Sequence, residues 1–177
     1  LARKGDGAAV DRAIGDLGEL LRASFREPGR HEIPLGEELE FLERYVSLQR
    51  IRFPDRLDVV LEIADEARHA LVPALVVQPL VENAIEHGLT TARGGRVRVA
   101  SRRDGDALEI EVADDGPGFG AANHSGRSGV GLANTRERLS LRYGERAALA
   151  CSDAPAGGGL VRIRMPWRTG ASGAPAP

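Results

Sequence analysis

The spacing of apolar residues changes once near the start of this chain, from a helical period to a period of two, and that change limits the folds open to it. Val10, Ile14, Leu17 and Leu21 recur at alternating steps of four and three, which draws one apolar stripe along a helix. Glu27-Pro28-Gly29-Arg30 interrupts it, and a second helix is expected from Gly36 to Arg52, with Leu39, Leu42 and Val46 along one side. Beyond Pro54 and Asp55 the pattern alternates. Leu57, Val59, Leu61 and Ile63 face one way, and Asp58, Val60 and Glu62 the other.

The remainder mixes both periods. A mostly apolar helix is expected from Ala74 to His87, then two strands around Val97-Val99 and Leu108-Ile110-Val112, joined as a hairpin at Asp104-Gly105-Asp106. Gly116 to Gly129 is rich in glycine and serine and reads as a long mobile loop feeding a helix from Gly129 to Tyr143. Strands near 147–152 and 160–167 follow, and Thr169 to Pro177 reads as a disordered tail. Without strict βαβ alternation, the order favours an antiparallel or mixed sheet covered by helices on one face, an α+β fold built as a two-layer α/β sandwich.

Composition excludes several functions. A net charge of −2 with both signs interspersed gives no basic field for a nucleic-acid backbone. Cys151 is the single cysteine, so neither an internal disulfide nor a zinc cluster is available, and a cytoplasmic setting is expected. The apolar run from Ala70 to Val81 contains Pro73 and Pro79 and falls short of the ~20 residues that span a bilayer. Lys4 is the only lysine and lies in a polar N-terminal stretch, which removes both a Walker lysine and the lysine of Ser/Thr/Tyr protein kinases.

Three separated segments carry the chemistry. In Leu80-Val81-Glu82-Asn83-Ala84-Ile85-Glu86-His87-Gly88 a helix presents Asn83, Glu86 and His87 on one face, and a neutral amide oxygen there can ligate Mg²⁺ without neutralising it. The same segment also reads as an exposed polar helix face, and His87 as a helix-end cap. Asp114-Asp115-Gly116-Pro117-Gly118 directly follows a strand. It reads either as a Pro-Gly turn or as a site where a buried Asp114 carboxylate accepts a hydrogen bond from the exocyclic amine of adenine and repels the guanine carbonyl. Gly126 to Gly129-Val130-Gly131-Leu132-Ala133-Asn134 is a glycine-rich loop running into a helix start, which offers amide hydrogens to an anion.

In order and spacing, Asn83, Asp114-x-Gly116-x-Gly118 and Gly129-x-Gly131-Leu132 resemble the N, G1 and G2 boxes of the ATPase superfamily that includes gyrase, Hsp90, MutL and histidine kinases. Within it, Leu35-Gly36-Glu37-Glu38-Leu39-Glu40-Phe41, Arg50-Ile51-Arg52-Phe53, Gln78-Pro79-Leu80-Val81-Glu82-Asn83-Ala84 and Asn134-Thr135-Arg136-Glu137-Arg138-Leu139 are similar to LytS/YehU-type sensor kinases, over roughly Leu17 to Pro166. The resemblance implies a Bergerat-type ATP-binding fold with a lid at 119–130. By the same resemblance Asn83 holds Mg²⁺ and forms with Glu82 the catalytic pair. Asp114 takes the adenine amine, Gly116 and Gly118 hinge the lid, Gly129 and Gly131 approach the phosphates, and His87, Leu132 and Asn134 complete the nucleotide site. Residues 1–52 are then the end of the dimerisation and linker helices, 53–168 the catalytic domain and 169–177 the tail.

Departures from the pattern sharpen the reading. Glu86 stands where many histidine kinases carry a basic residue, Gly158-Gly159-Leu160 replaces a Gly-Thr glycine box and reads as a plain turn, and Pro79 occupies the position of the general-base glutamate of hydrolysing relatives. None of His31, His69, His87 and His124 lies on the first apolar stripe, so the phosphoryl acceptor is expected in a helix ahead of Leu1. The implied partners are that helix in the same or a dimer-mate chain, a response regulator and a second copy in a homodimer. Two alternatives stay open at this point: an anti-sigma-type serine kinase and a non-catalytic adenine-nucleotide-binding regulator.

Overall fold

The computed structural model describes residues 32–89, 94–120 and 128–170. The expected first helix, the C-terminal tail and most of the expected lid lie outside them. Strand β1 (Glu32–Pro34) leads directly into helix α1 (Leu35–Arg52), followed by β2 (Leu57–Ile63), a 3₁₀ turn (Asp65–His69), β3 (Leu71–Pro73) and α2 (Gln78–Gly88). Then come β4 (Gly95–Asp104), β5 (Ala107–Asp114), α3 (Ser128–Tyr143), β6 (Ala148–Asp153) and β7 (Gly159–Pro166).

Five strands form one mixed sheet in the order β2-β4-β5-β7-β6. Only β2 and β4 run parallel, and the crossover that parallel pairing demands carries β3 and α2. The β4–β5 hairpin turns at Gly105, which takes φ 59 at the first position of a two-residue loop. Alternation along the strands sorts the two faces. Val97, Val99, Leu108, Ile110, Val112, Val161, Ile163 and Met165 are buried under the helices. The opposite face carries ion pairs instead, among them Arg96–Asp58 at 2.8 Å and Arg162–Glu111 at 2.6 Å. The architecture is therefore the expected α+β two-layer sandwich.

Leu35, Leu39, Leu42 and Val46 put one side of α1 into the same core as α2 and the sheet. Helix α2 starts at Gln78 rather than at Ala74. Residues 71–73 pair with β1 through Ile33 and Val72, and Leu75 turns the chain with φ 60, a left-handed conformation that a right-handed helix cannot include. An apolar run of that length fits a buried strand and a buried helix equally well by periodicity.

One polar cluster ties the start of the described chain to its end. The Tyr143 hydroxyl donates to Glu32 at 2.5 Å, and Arg142 and Arg168 pair with the same carboxylate at 2.9 and 3.1 Å. The hydrogen bond from Arg142, aided by that from Tyr143, holds the Glu32 carboxyl below its ordinary value against a smaller opposing effect of burial. A lowered carboxyl stabilises the fold above its unfolded-state value, and that contribution is lost as pH falls through the folded value. Glu32→Gln should therefore cost about 2 kcal/mol near neutral pH, with the gap to wild type closing below pH ~4. Denaturant midpoints of the two proteins across pH measure this.

Candidate functional site

Asp114 is the last residue of β5 and continues the inward-facing series Leu108, Ile110 and Val112, so its carboxylate is carried into the apolar layer. It is 8 % exposed. Burial raises its carboxyl, opposed by hydrogen bonds from two backbone amides. The Gly116 amide donates to Oδ1 at 2.9 Å, and the Gly159 amide donates to the same oxygen at 3.2 Å. His87, Gly118, Phe119 and Gly159 surround it and line a recess. At Gly116 a Cβ would stand 2.7 Å from Asp114 Oδ1 and 2.9 Å from the His87 carbonyl oxygen, so the G1-like turn is pressed against the end of α2.

Helix α2 spans the site. Its C-terminal end, at His87 and Gly88, meets the Asp114 turn, while Pro79 near its start lies 3.6 Å from where a Cβ on Gly131 of α3 would be. Pro79 and His87 are about 12 Å apart along the axis at 1.5 Å per residue. Asn83 lies midway and is 6 % exposed. The helix thus sets three sequence-expected groups in a row: the carboxylate recess, the Asn83 amide and the α3 start.

The other expected residues take different positions. Glu82 is half-buried and accepts a hydrogen bond from Gln78 at 2.7 Å, and Glu86 is exposed. Leu132 is in the hydrophobic core, where its side chain anchors α3, so only its backbone can face a ligand. Asn134 is exposed. Gly129 is in the first turn of α3. At the next turn, the Thr135 hydroxyl donates to the Gly131 carbonyl at 2.9 Å.

Two further elements reach the site that the sequence does not assign to it. Asp153, at the end of β6, accepts the amides of Phe119 at 2.7 Å and Gly120 at 3.2 Å, fastening the start of the segment that follows Gly118. The β6–β7 turn, expected to be a plain connector, supplies the Gly159 amide to Asp114. Beside it, Gly158 has φ 88, and a Cβ there would come 1.8 Å from the Asp114 carbonyl oxygen.

Residues 69–169, more than half of the chain, match the family described as histidine kinase-, DNA gyrase B- and HSP90-like ATPase, and residues 1–57 match one described as histidine kinase. The chain belongs to the histidine kinase-, gyrase B- and HSP90-like ATPases. It is 34% identical over 171 residues to the sensor histidine kinase YesM of Bacillus subtilis (strain 168), a match covering 95% of this chain and 30% of that protein. It is 32% identical over 155 residues to the sensor protein LytS of Staphylococcus haemolyticus, covering 81% of this chain and 26% of that protein. The chain thus spans about a third or less of the curated relatives it matches. Its likeness to LytS/YehU-type sensor kinases is borne out by these matches.

Solved structures agree on the fold. The histidine kinase domain of the Erythrobacter litoralis EL346 blue-light activated kinase superposes with a TM-score of 0.55 at 24% identity, covering 76% of this chain and 62% of that one. The catalytic domain of histidine kinase ThkA superposes at 0.60 with 19% identity, covering 77% and 96%. In this ATPase domain no helix among the described residues is long and apolar enough to cross a membrane.

The steric readings separate two neighbouring glycines. Gly158→Ala should destabilise the domain by about 2–4 kcal/mol, because the added methyl collides with the backbone of Asp114. Gly157→Ala, at a similar φ of 93 but with open space around it, should cost only about 1 kcal/mol of backbone strain. Urea unfolding of the two variants checks the difference.

Proposed function

We propose that this domain binds Mg-ATP and transfers the γ-phosphoryl group to a histidine of a helix outside this sequence, as the catalytic part of a two-component sensor kinase. The observation that carries the reading is the placement of Asn83 midway along α2, between the Asp114 recess and the Gly131 end of α3. That row is commensurate with an extended nucleoside triphosphate: base on Asp114, phosphates toward the α3 start, and a metal between.

The residues present fit such a ligand. Asp114 keeps a buried acceptor against glycines that leave no room for a side chain, which suits the exocyclic amine of adenine. Among the described residues no cluster of three His, Cys, Asp or Glu exists to hold a metal. Mg²⁺ typically takes one or two protein oxygens and fills its shell with water and phosphate, so the single Asn83 amide is adequate. When bound, the metal supplies charge neutralisation at the phosphates. Gly129 and Gly131 bring backbone toward the phosphate end, and His87 lines the base end.

For the transfer, the acceptor imidazole nitrogen forms the bond to the γ-phosphorus as the bond to the bridging oxygen breaks and ADP leaves. Glu82, beside Asn83 and hydrogen-bonded to Gln78, is the carboxylate assigned to take the proton that the imidazole sheds. Pro79 offers no base to activate water, so the domain favours transfer over hydrolysis, and catalysis rests on positioning. The phosphoryl group then passes to a response regulator, and the parent protein acts as a homodimer on the cytoplasmic side. The kinase names of the relatives support this reading over a serine kinase or a non-catalytic regulator.

Asn83→Ala should remove most of the Mg²⁺-dependent part of ATP affinity. Asp114→Asn should weaken ATP by about tenfold or more whether or not metal is present, because an amide presents a donor to the adenine amine. Calorimetry with ATP, with Mg²⁺ and with EDTA, separates the two. Unchanged metal dependence in Asn83→Ala would reject the role given to Asn83.

A further inference from the structure

The first turn of α2 has no cap of its own. Val77 occupies the N-cap position and no side chain of the helix caps it. Pro79 has no amide hydrogen, and the Leu80 and Val81 amides both donate to the Val77 carbonyl, at 3.0 and 3.1 Å. The amides of Val77 and Gln78 are left over. Both go to one oxygen of Glu38, far earlier in the chain on α1, at 2.5 and 3.4 Å.

Glu38 is 1 % exposed. Its second oxygen, Oε2, is buried without a hydrogen-bond partner among the described residues. An orphaned buried oxygen costs stability, so simple packing does not explain a glutamate here. Burial lifts its carboxyl to about 7, opposed by the backbone amides and by Arg138. Arg138 approaches the same segment from α3, donating from Nη1 to the Ala74 carbonyl at 2.8 Å and from Nη2 to the Leu75 carbonyl at 2.7 Å. Residues 74–78 are thereby held by their amides from α1 and by their carbonyls from α3.

We infer that Glu38 is a positioning residue for the nucleotide site, capping from α1 the helix that carries Asn83, while Arg138 ties the same joint to the helix that carries Gly131. The inference rests on the Mg-ATP reading of that site. Its lever arm is short: Asn83 lies about 9 Å beyond Val77 at 1.5 Å per residue. A tilt of about 6° at the first turn would move Asn83 by about 1 Å, and misplacement on that scale at a reacting centre costs about a hundredfold. Through Glu38, helix α1 therefore has a hydrogen-bonded hold on the start of the helix that carries Asn83.

The test uses the 177-residue chain and three readouts. Glu38→Ala should lower Mg-ATP affinity by about tenfold or more, while affinity for metal-free ATP changes less. Glu38→Gln, which keeps an acceptor oxygen for the two amides, should restore Mg-ATP affinity to within about threefold of wild type. Hydrogen exchange at Val77 and Gln78 should be faster in Glu38→Ala than in wild type without nucleotide. In wild type itself, the same two amide resonances should shift when Mg-ATP is added, a measurement that needs no variant to fold. Unchanged Mg-ATP affinity in a folded Glu38→Ala, no rescue by glutamine, or amide resonances that ignore bound nucleotide would each overturn the inference. A wild-type chain that binds no nucleotide would instead overturn the functional reading, leaving the exchange comparison to judge the cap by itself.

Discussion

A carboxylate on the buried face of a sheet is the constraint from which the rest of the site follows. Asp114 stands in line with Leu108, Ile110 and Val112, and strand geometry gives it no choice of face. Removing its charge from water is costly unless donors replace the lost hydration. The replacements are backbone amides, which can approach closely only where side chains are missing. Hence the turn after β5 and the turn before β7 are glycine-rich, and both converge on one oxygen. In the proposed function the other oxygen is the one that meets the adenine amine.

That logic divides what sequence patterns reveal from what they hide. The two periods are properties of short windows, so α1, β2, the β4–β5 hairpin, α3 and the last two strands emerge with nearly the right bounds. The motif glycines and Asn83, Asp114 and His87 stand out because their spacing within a segment is local. Asp153, the Gly159 amide and Glu38 do not, because each acts on a partner distant in the chain, and the short stretches that contain Glu38 and Gly159 carry no mark of that partner. The start of α2 is hidden from the sequence for a related reason. Its N-cap residue is a valine, whose cap arrives from another helix, so the usual polar signal at a helix start is missing.

The two faces of the sheet divide the labour. On one, the helices bury the apolar residues and hold the site. On the other, arginines and carboxylates from neighbouring strands pair across the ladder, Arg98 with Glu62 at 2.5 Å and Arg162 with Glu111 at 2.6 Å. Exposed pairs of this kind add little stability each. Their effect is to keep a broad sheet surface polar, so that the sheet needs only one layer of helices.

The parallel pairing of β2 with β4 has a consequence for the order in which the molecule comes together. The β4–β5 and β6–β7 hairpins close short loops and pair residues near in sequence. Joining β2 to β4 requires a far longer loop, whose closure entropy is paid before any pairing is gained. Helix α2 lies inside that loop. Joining β5 to β7 closes a loop that is longer again and holds α3, so the hairpins alone bring neither Asn83 nor the Gly159 amide to Asp114, and the residues of the candidate site meet only once both long-range pairings are made.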